Sequence, residues 1–429
     1  MLVLSNPTQL YFVYKVVIDW GDCMKFKKAI IWILIAINLF VFVGCRDTNI
    51  KRNKVDKQVI NSNNEFGLNL FKSISNEEKY ENVVISPISI NTALTMMYNG
   101  ADGNTKEEMK DVLKYNNLDM EKVNETFSEL LRYLKIDDNN IDLNIVNSIW
   151  VNKNNTINDN FINLNKKTYK SQFNKVDFQD KGSVDKINQW ISKETKGNIN
   201  KMLEPPISDN IIMYVINAVY FKGKWQEPFD KNNNVEDEFI NELGEKNICK
   251  FMKRSGFDTE TCYFKGNDFE GIKLSYSGCT KAMYVMLPNK ESNLQQFIKN
   301  LTFDKIVNMI NEINNNEENI DVFIPKFDIE YESKELKNVL MKLGMVDAFE
   351  EGANFSKITN DLFIDDVLHK AKIQVDEEGT VASAATVIAT KETAMEMEIK
   401  EFKANRPFLF FISDEESGII LFMGKLTDI

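Results

Sequence analysis

The stretch Gly379-Thr380-Val381-Ala382-Ser383-Ala384-Ala385-Thr386-Val387-Ile388-Ala389-Thr390 contains no charged residue and no proline, and consists almost wholly of small and β-branched side chains. It lies in a connector of about 25 residues, between an alternating run that ends near Val375 and an apolar run that begins near Phe402. Connections of that length inside a compact domain are functional or disordered, and a disordered loop has no need of this composition. The stretch reads as a strand without a sheet, because small and β-branched side chains suit a pleated, buried surface. Alternate residues Thr380, Ala382, Ala384, Thr386 and Ile388 are compact enough to enter a packed interior, and Gly379 supplies a permissive hinge ahead of them. An ordinary edge strand or an alanine-rich helix fits the same residues.

Upstream, the odd positions Val367, His369, Ala371, Ile373 and Val375 are the less polar ones, and the even positions include Lys370, Lys372 and Gln374. That alternation predicts a half-buried strand with His369 on its apolar side. Residues 211–221 form a nearly unbroken apolar run interrupted only by Asn217, which suits a strand covered on both faces. Residues 407–412 and 419–423, joined through a turn from Asp414 to Gly418, read as a hairpin. Ser86-Pro87 starts a helix whose Ile90, Ala93, Leu94 and Met97 recur at helical spacing, and residues 123–134 and 335–343 are further helices. The mixture is α+β or α/β with large buried sheets.

Composition narrows the chemistry. The 429 residues carry 52 Lys and Arg against 64 Asp and Glu, a net charge of −12, which disfavours a nucleic-acid partner. A single histidine, His369, excludes an H-E-x-x-H zinc site, and five cysteines without a C-x-x-C pair suggest neither zinc nor a disulfide scaffold. Neither G-x-S-x-G nor a phosphate-binding G-x-x-x-x-G-K-[ST] occurs, so no enzyme is expected, and no metal or cofactor. The acidic run from Asp137 to Asp142 lacks the glycine and terminal glutamate of a calcium loop and reads as a turn. Cys249, Cys262 and Cys279 cannot all pair with one another, and their disulfide state stays open.

Met24-Lys25-Phe26-Lys27-Lys28, the uncharged apolar run 29–44 and Cys45 have the layout of an export signal. Phe42-Val43-Gly44-Cys45 resembles a bacterial lipobox, with Phe42 where leucine is usual, and marks Cys45 as the lipidated residue. A plain secreted protein and an uncleaved anchor are the other readings. Residues 1–23 precede a good start at Met24 and are expected to come from an upstream start codon, 24–44 are the signal peptide, 45–62 a polar tether, and 63–429 one folded domain. The expected location is the outer face of a bacterial membrane through the lipid, or free secretion, with no other membrane contact.

Several motifs, in order, carry a family resemblance. Glu377-Glu378-Gly379-Thr380 with Ala382-Ser383-Ala384-Ala385, followed by residues 402–408, resembles the hinge and distal flank of the reactive loop of serpins. Residues 84–89, 216–225, Ile324-Pro325-Lys326-Phe327 and 421–425 are similar to further serpin motifs, so the resemblance spans residues 66–429. It implies an α+β serpin fold: one domain with three β-sheets, a large central one mostly antiparallel, about eight or nine helices, and an exposed reactive-centre loop near 376–401.

The resemblance implies a covalent-trapping inhibitor of extracellular serine proteases, monomeric in its native state. The loop is cleaved and then inserts into the central sheet. Counting along the usual loop length puts the reactive bond at Thr393-Ala394, with Lys391 and Met395 as rival bait residues. Small residues flanking the bond suggest an elastase-like or subtilisin-like target; Lys391-Glu392 would attract a trypsin-like enzyme, and a cysteine protease fits the family as well. The hinge residues are Glu377, Glu378, Gly379, Thr380, Ala382, Ala384 and Ala385. Ser86, Ser89, Asn217 and His369 match the shutter under the sheet, and Lys326, Glu377 and Trp225 the breach where the hinge first enters. Residues 121–135 carry mixed charge, so no heparin cofactor is expected. The alternative is a non-inhibitory serpin-fold binding protein or chaperone.

Overall fold

Helix α1 (Lys57–Glu77) begins at Asp56, whose carboxylate accepts a hydrogen bond from the Gln58 N–H at 2.8 Å. In this computed structural model the described residues are 55–429, apart from 136–139, 181, 208–210, 258, 279, 334–335, 361 and 380–399. They belong to one compact unit, 50–429. Helix α1 reaches back into the stretch 45–62 expected to be a tether, and buries Val59 and Ile60. Its apolar period is hidden because Ser62, Asn63 and Asn64 are buried too. Ser62 donates to the Lys114 carbonyl at 2.8 Å, and Asn64 bonds the backbone of Gly418 and Ile420. A buried polar residue satisfied by distant backbone looks like linker when the sequence is read alone.

Strand β1 (Val83–Ile85) leads to α2 (Pro87–Tyr98), with proline in the first turn, where a missing N–H does no harm. All twelve residues of α2 are buried, the mark of a helix enclosed on every side. Helices α3 (Gly103–Val112) and α4 (Met120–Leu134) precede β2 (Ile141–Asn152), α5 (Asp159–Tyr169), β3 (Gln172–Val176), α6 (Gly182–Glu194) and β4 (Met213–Gly223). Next come β5 (Val235–Ile240), β6 (Lys246–Arg254), β7 (Thr261–Lys265), β8 (Phe269–Ser275) and β9 (Lys281–Pro288). Helices α7 (Leu294–Lys299) and α8 (Phe303–Asn314), strands β10 (Glu317–Glu318), β11 (Ile320–Pro325) and β12 (Phe327–Ser333), and helix α9 (Leu336–Lys342) follow. The chain closes with β13 (Asp366–Val375), β14 (Lys400–Lys403), β15 (Phe408–Asp414) and β16 (Ile419–Leu426).

These strands form three sheets, and nine helices surround them among the described residues. A seven-stranded sheet, β1-β16-β15-β9-β8-β7-β10, is antiparallel throughout. A four-stranded sheet runs β14-β11-β6-β5. The five-stranded sheet, β12-β13-β4-β2-β3, is mixed: β13 pairs parallel with β4, and β2 parallel with β3.

The apolar run of β4 is explained by cover on both faces. Met213, Val215, Val219 and Phe221 join the main core, while Tyr214, Ile216 and Ala218 join a second cluster with Val184, Ile187 and Ile191 of α6. On β13, His369, Ala371 and Ile373 are buried as the alternation predicts. Lys370, on the opposite face, pairs with Glu330 at 2.9 Å and donates to the Lys201 carbonyl at 2.8 Å.

Candidate functional site

The parallel register of β13 and β4 sets His369 directly beside Asn217 in the middle of the five-stranded sheet. His369 Nδ1 lies 2.6 Å from Asn217 Oδ1, and the Ser86 backbone N–H donates to His369 Nε2 at 3.4 Å. A backbone N–H can only donate, so Nε2 carries the lone pair, and the proton sits on Nδ1, where it reaches Asn217. The Asn217 amide donates in turn to the Ser89 carbonyl at 3.1 Å, to the Ser89 hydroxyl, and to Asn147 Oδ1 at 2.7 Å. Asn147 comes from β2, opposite Asn217 in the antiparallel register. One network thus ties β2, β4, β13 and the start of α2.

Ser86, Ser89, Asn217 and His369 are fully buried. Ser86 takes part through its backbone; its hydroxyl oxygen is buried without a hydrogen-bond partner among the described residues. Burial pushes the His369 imidazole down to about 3, so it is neutral across the physiological range.

Past Val375 the chain makes a tight turn. The Gly379 N–H donates to the Asp376 carbonyl at 3.2 Å, and the Glu378 N–H to the Asp376 carboxylate at 3.0 Å. The segment following β4 grips the turn by its backbone. The Trp225 N–H donates to the Glu378 carbonyl at 3.0 Å, the Phe229 N–H to the Glu377 carbonyl at 2.7 Å, and the Trp225 indole to the Asp376 carbonyl at 2.9 Å. Trp225 is itself buried and stacks on Tyr276, ring centroids 4.5 Å apart.

Side chains add a second hold. Lys326, between β11 and β12, donates to both oxygens of the buried Glu377 carboxylate at 3.0 and 2.9 Å. Burial raises the Glu377 carboxyl, but hydrogen bonds from Lys326 and Asn234 outweigh it and hold the group below its ordinary value. Glu378 pairs with Lys231 at 2.5 Å. Gly379 has φ +94°, and a Cβ there would stand 2.2 Å from the Gly223 carbonyl oxygen and 2.4 Å from the Trp225 nitrogen. Only glycine fits that approach.

The structure therefore brings His369, Asn217, Ser86 and Ser89 into one cluster, and Glu377, Glu378, Gly379, Lys326 and Trp225 into another. Thr380, Ala382, Ala384, Ala385, Lys391, Thr393, Ala394 and Met395 lie outside the described residues, as do Cys45 and Cys279. Cys249 and Cys262 are free thiols. Sequence reasoning missed Asn147, whose signal is an amide within the run Ile145-Val146-Asn147, and Asn234 and Lys231, which lie in and beside a loop and give no signal.

Comparison with known proteins shows the family and the fold. The family model described as Serpin (serine protease inhibitor) matches residues 61–429. The chain is 36% identical over 380 residues to an uncharacterized serpin-like protein of Thermococcus kodakarensis, covering 87% of this chain and 86% of that one. It is 34% identical to Serpin B6 of Pongo abelii, covering 85% of this chain and 98% of that one. Among solved structures it resembles the thermophilic serpin tengpin in the native state, with a TM-score of 0.78, 31% identity, and coverage of 87% and 95%. The chain belongs to the serpin family, whose members are in general protease inhibitors rather than enzymes.

Two outcomes follow from the geometry. The unfolded chain protonates His369 near 6.5 and the folded chain only near 3, so between these values the unfolded state binds the extra proton. His369's contribution is intact above pH 6.5 and declines by up to about 1.4 kcal/mol per pH unit below it. Denaturant titrations from pH 7.5 to 4 should show the stability of the natural chain dropping relative to His369→Gln; a difference that stays constant with pH would contradict the assignment. For Gly379→Ala, strain at positive φ and the clash with backbone should lower stability by about 2 kcal/mol. Tryptophan emission should shift to the red as Trp225 loses the turn. An unchanged denaturation midpoint and spectrum would show that the turn is not held as described.

Proposed function

We propose that this serpin is an inhibitory one, which traps extracellular serine proteases covalently while held by a lipid on Cys45 at the outer face of a bacterial membrane, or after secretion. The observation that carries this reading is the direct parallel pairing of β13 with β4, bridged by the His369–Asn217 hydrogen bond, at the strand whose end leads into residues 380–399. A segment that folds back from Gly379 and enters between these two strands runs antiparallel to both. One parallel interface then becomes two antiparallel ones, each with its own ladder of hydrogen bonds, and parallel pairing is the weaker per residue. The uncharged, small side chains of 380–390 suit such an entry, because a charged residue there would be buried without a partner.

In this reading Ser86, Ser89, Asn217 and His369 act as a shutter that keeps the strands together, and Lys326, Glu377 and Trp225 hold the hinge at the breach. The protease serine attacks the Thr393 carbonyl carbon, the Thr393–Ala394 bond breaks, and the Ala394 amine leaves with the C-terminal fragment. The freed hinge inserts before water can hydrolyse the ester, and the enzyme is carried along with the strand. An elastase-like or subtilisin-like target suits Thr393 and Ala394, and Lys391 offers a trypsin-like register.

The test mixes residues 46–429 with pancreatic elastase, subtilisin and trypsin in turn, followed by denaturing gels and mass spectrometry of the released peptide. A denaturant-stable complex with a peptide starting at Ala394 is expected with at least one of them. A complex with another peptide start keeps the mechanism and moves the bond; cleavage without any complex favours the non-inhibitory reading.

A further inference from the structure

A cavity of about 700 Å³ lies between the turn that joins β7 to β8, helix α7 and one face of α8. Its apolar lining is aromatic. Phe264, Phe269 and Phe297 form a chain of rings, with centroids 5.4 Å apart from Phe264 to Phe269 and 6.2 Å from Phe269 to Phe297, and Leu301 and Met309 add aliphatic surface. Phe264 and Phe297 are only half-buried. Size and lining are those of a small-molecule site, in which an apolar floor supplies most of the contact area and a few polar groups set orientation. The walls are pinned. The Asn289 amide donates to the Gly266 carbonyl at 3.3 Å and to the Asn267 carbonyl, the Gly266 N–H donates to the Phe269 carbonyl at 2.9 Å, and Lys72 reaches across from α1 to the Leu301 carbonyl at 2.7 Å. A cavity already built costs a ligand little ordering of the protein.

Charge at the rim selects the ligand. Asp268, Glu291 and Glu312 are exposed carboxylates that line the cavity, and none has an ion-pair partner among the described residues. Lys305 is the only base among the described lining residues, and its ammonium donates to the Asn300 carbonyl at 3.0 Å. This sign is not simply inherited from the net charge of −12. A neighbouring hollow that shares Asn293 and Gln296 with the cavity is lined by Lys72, Lys79 and Lys299 against Glu242 alone. Carboxylates and the faces of aromatic rings both attract positive charge, and both do so more strongly where water is partly excluded. An anion would be repelled from such a rim.

We propose that this cavity binds a small organic cation, an ammonium group carried on an apolar or aromatic body. The body rests on Phe264, Phe269 and Phe297, and the ammonium is held at the rim by Asp268, Glu291 and Glu312. The site is built wholly from described residues and owes nothing to the reading of 380–399 as protease bait.

The experiment titrates the full chain by calorimetry with phenethylamine, protonated at pH 7, and with its neutral counterpart 2-phenylethanol. The amine should bind saturably with a dissociation constant below about 1 mM, and the alcohol about 10-fold more weakly. Combining Asp268→Asn, Glu291→Gln and Glu312→Gln should weaken the amine by about 5- to 30-fold and leave the alcohol and the melting temperature unchanged, because all three positions are exposed. Phe297→Leu should weaken both ligands, whereas Lys299→Gln, in the neighbouring hollow, should affect neither. Equal affinity for amine and alcohol would overturn the choice of a cation. Amine binding that is indifferent to the carboxylate and Phe297 variants would overturn the site, and no saturable binding of the amine would overturn the proposal as a whole. None of these results bears on protease trapping, which is read separately from the covalent complex.

Discussion

The hydrogen bond from His369 to Asn217 spans the parallel seam between β13 and β4 in the five-stranded sheet. Everything else at the centre of the molecule arranges for that bond to form. The parallel register sets the two residues side by side, the Ser86 N–H fixes the imidazole tautomer, and Asn147 and Ser89 fix the orientation of the Asn217 amide. Polar groups this deeply buried are costly to leave unpaired, so loss of one partner in the His369–Asn217–Asn147–Ser89 chain weakens its neighbours.

The turn at residues 376–379 is held in a different way. Its strongest features are backbone hydrogen bonds from Trp225 and Phe229, and the closeness of Gly379 to the chain after β4. The Lys326–Glu377 pair is less decisive than its short distances suggest, because the Lys326 side chain is 38% exposed while that of Glu377 is 3% exposed, and partly solvated pairs contribute little. Glu377 is better regarded as a carboxylate that would be expensive to leave buried without its partners.

Much of this was legible in the residues. The run 211–221 with its lone Asn217, and the alternation around His369, announced two buried strands with a polar residue at the centre of each. The reading of 379–390 as a strand without a sheet falls, past Gly379, outside the described residues. What stayed hidden had physical reasons. The start of α1 was masked by Ser62, Asn63 and Asn64, polar residues that partner with distant backbone or with each other. The grip on the hinge runs through the carbonyls of Asp376, Glu377 and Glu378, which every residue possesses, so no side chain advertises it. The mixed direction of the central sheet follows from long crossovers that no local pattern encodes.

If the intact chain withholds a strand from its five-stranded sheet, a single cut within 380–399 changes the melting temperature. The account predicts that the cut chain, with both fragments still associated, melts well above the intact one, because the freed segment completes the sheet between β13 and β4. A nick in an ordinary surface loop leaves stability unchanged or lowers it. A cut chain that melts at or below the intact temperature would contradict the account.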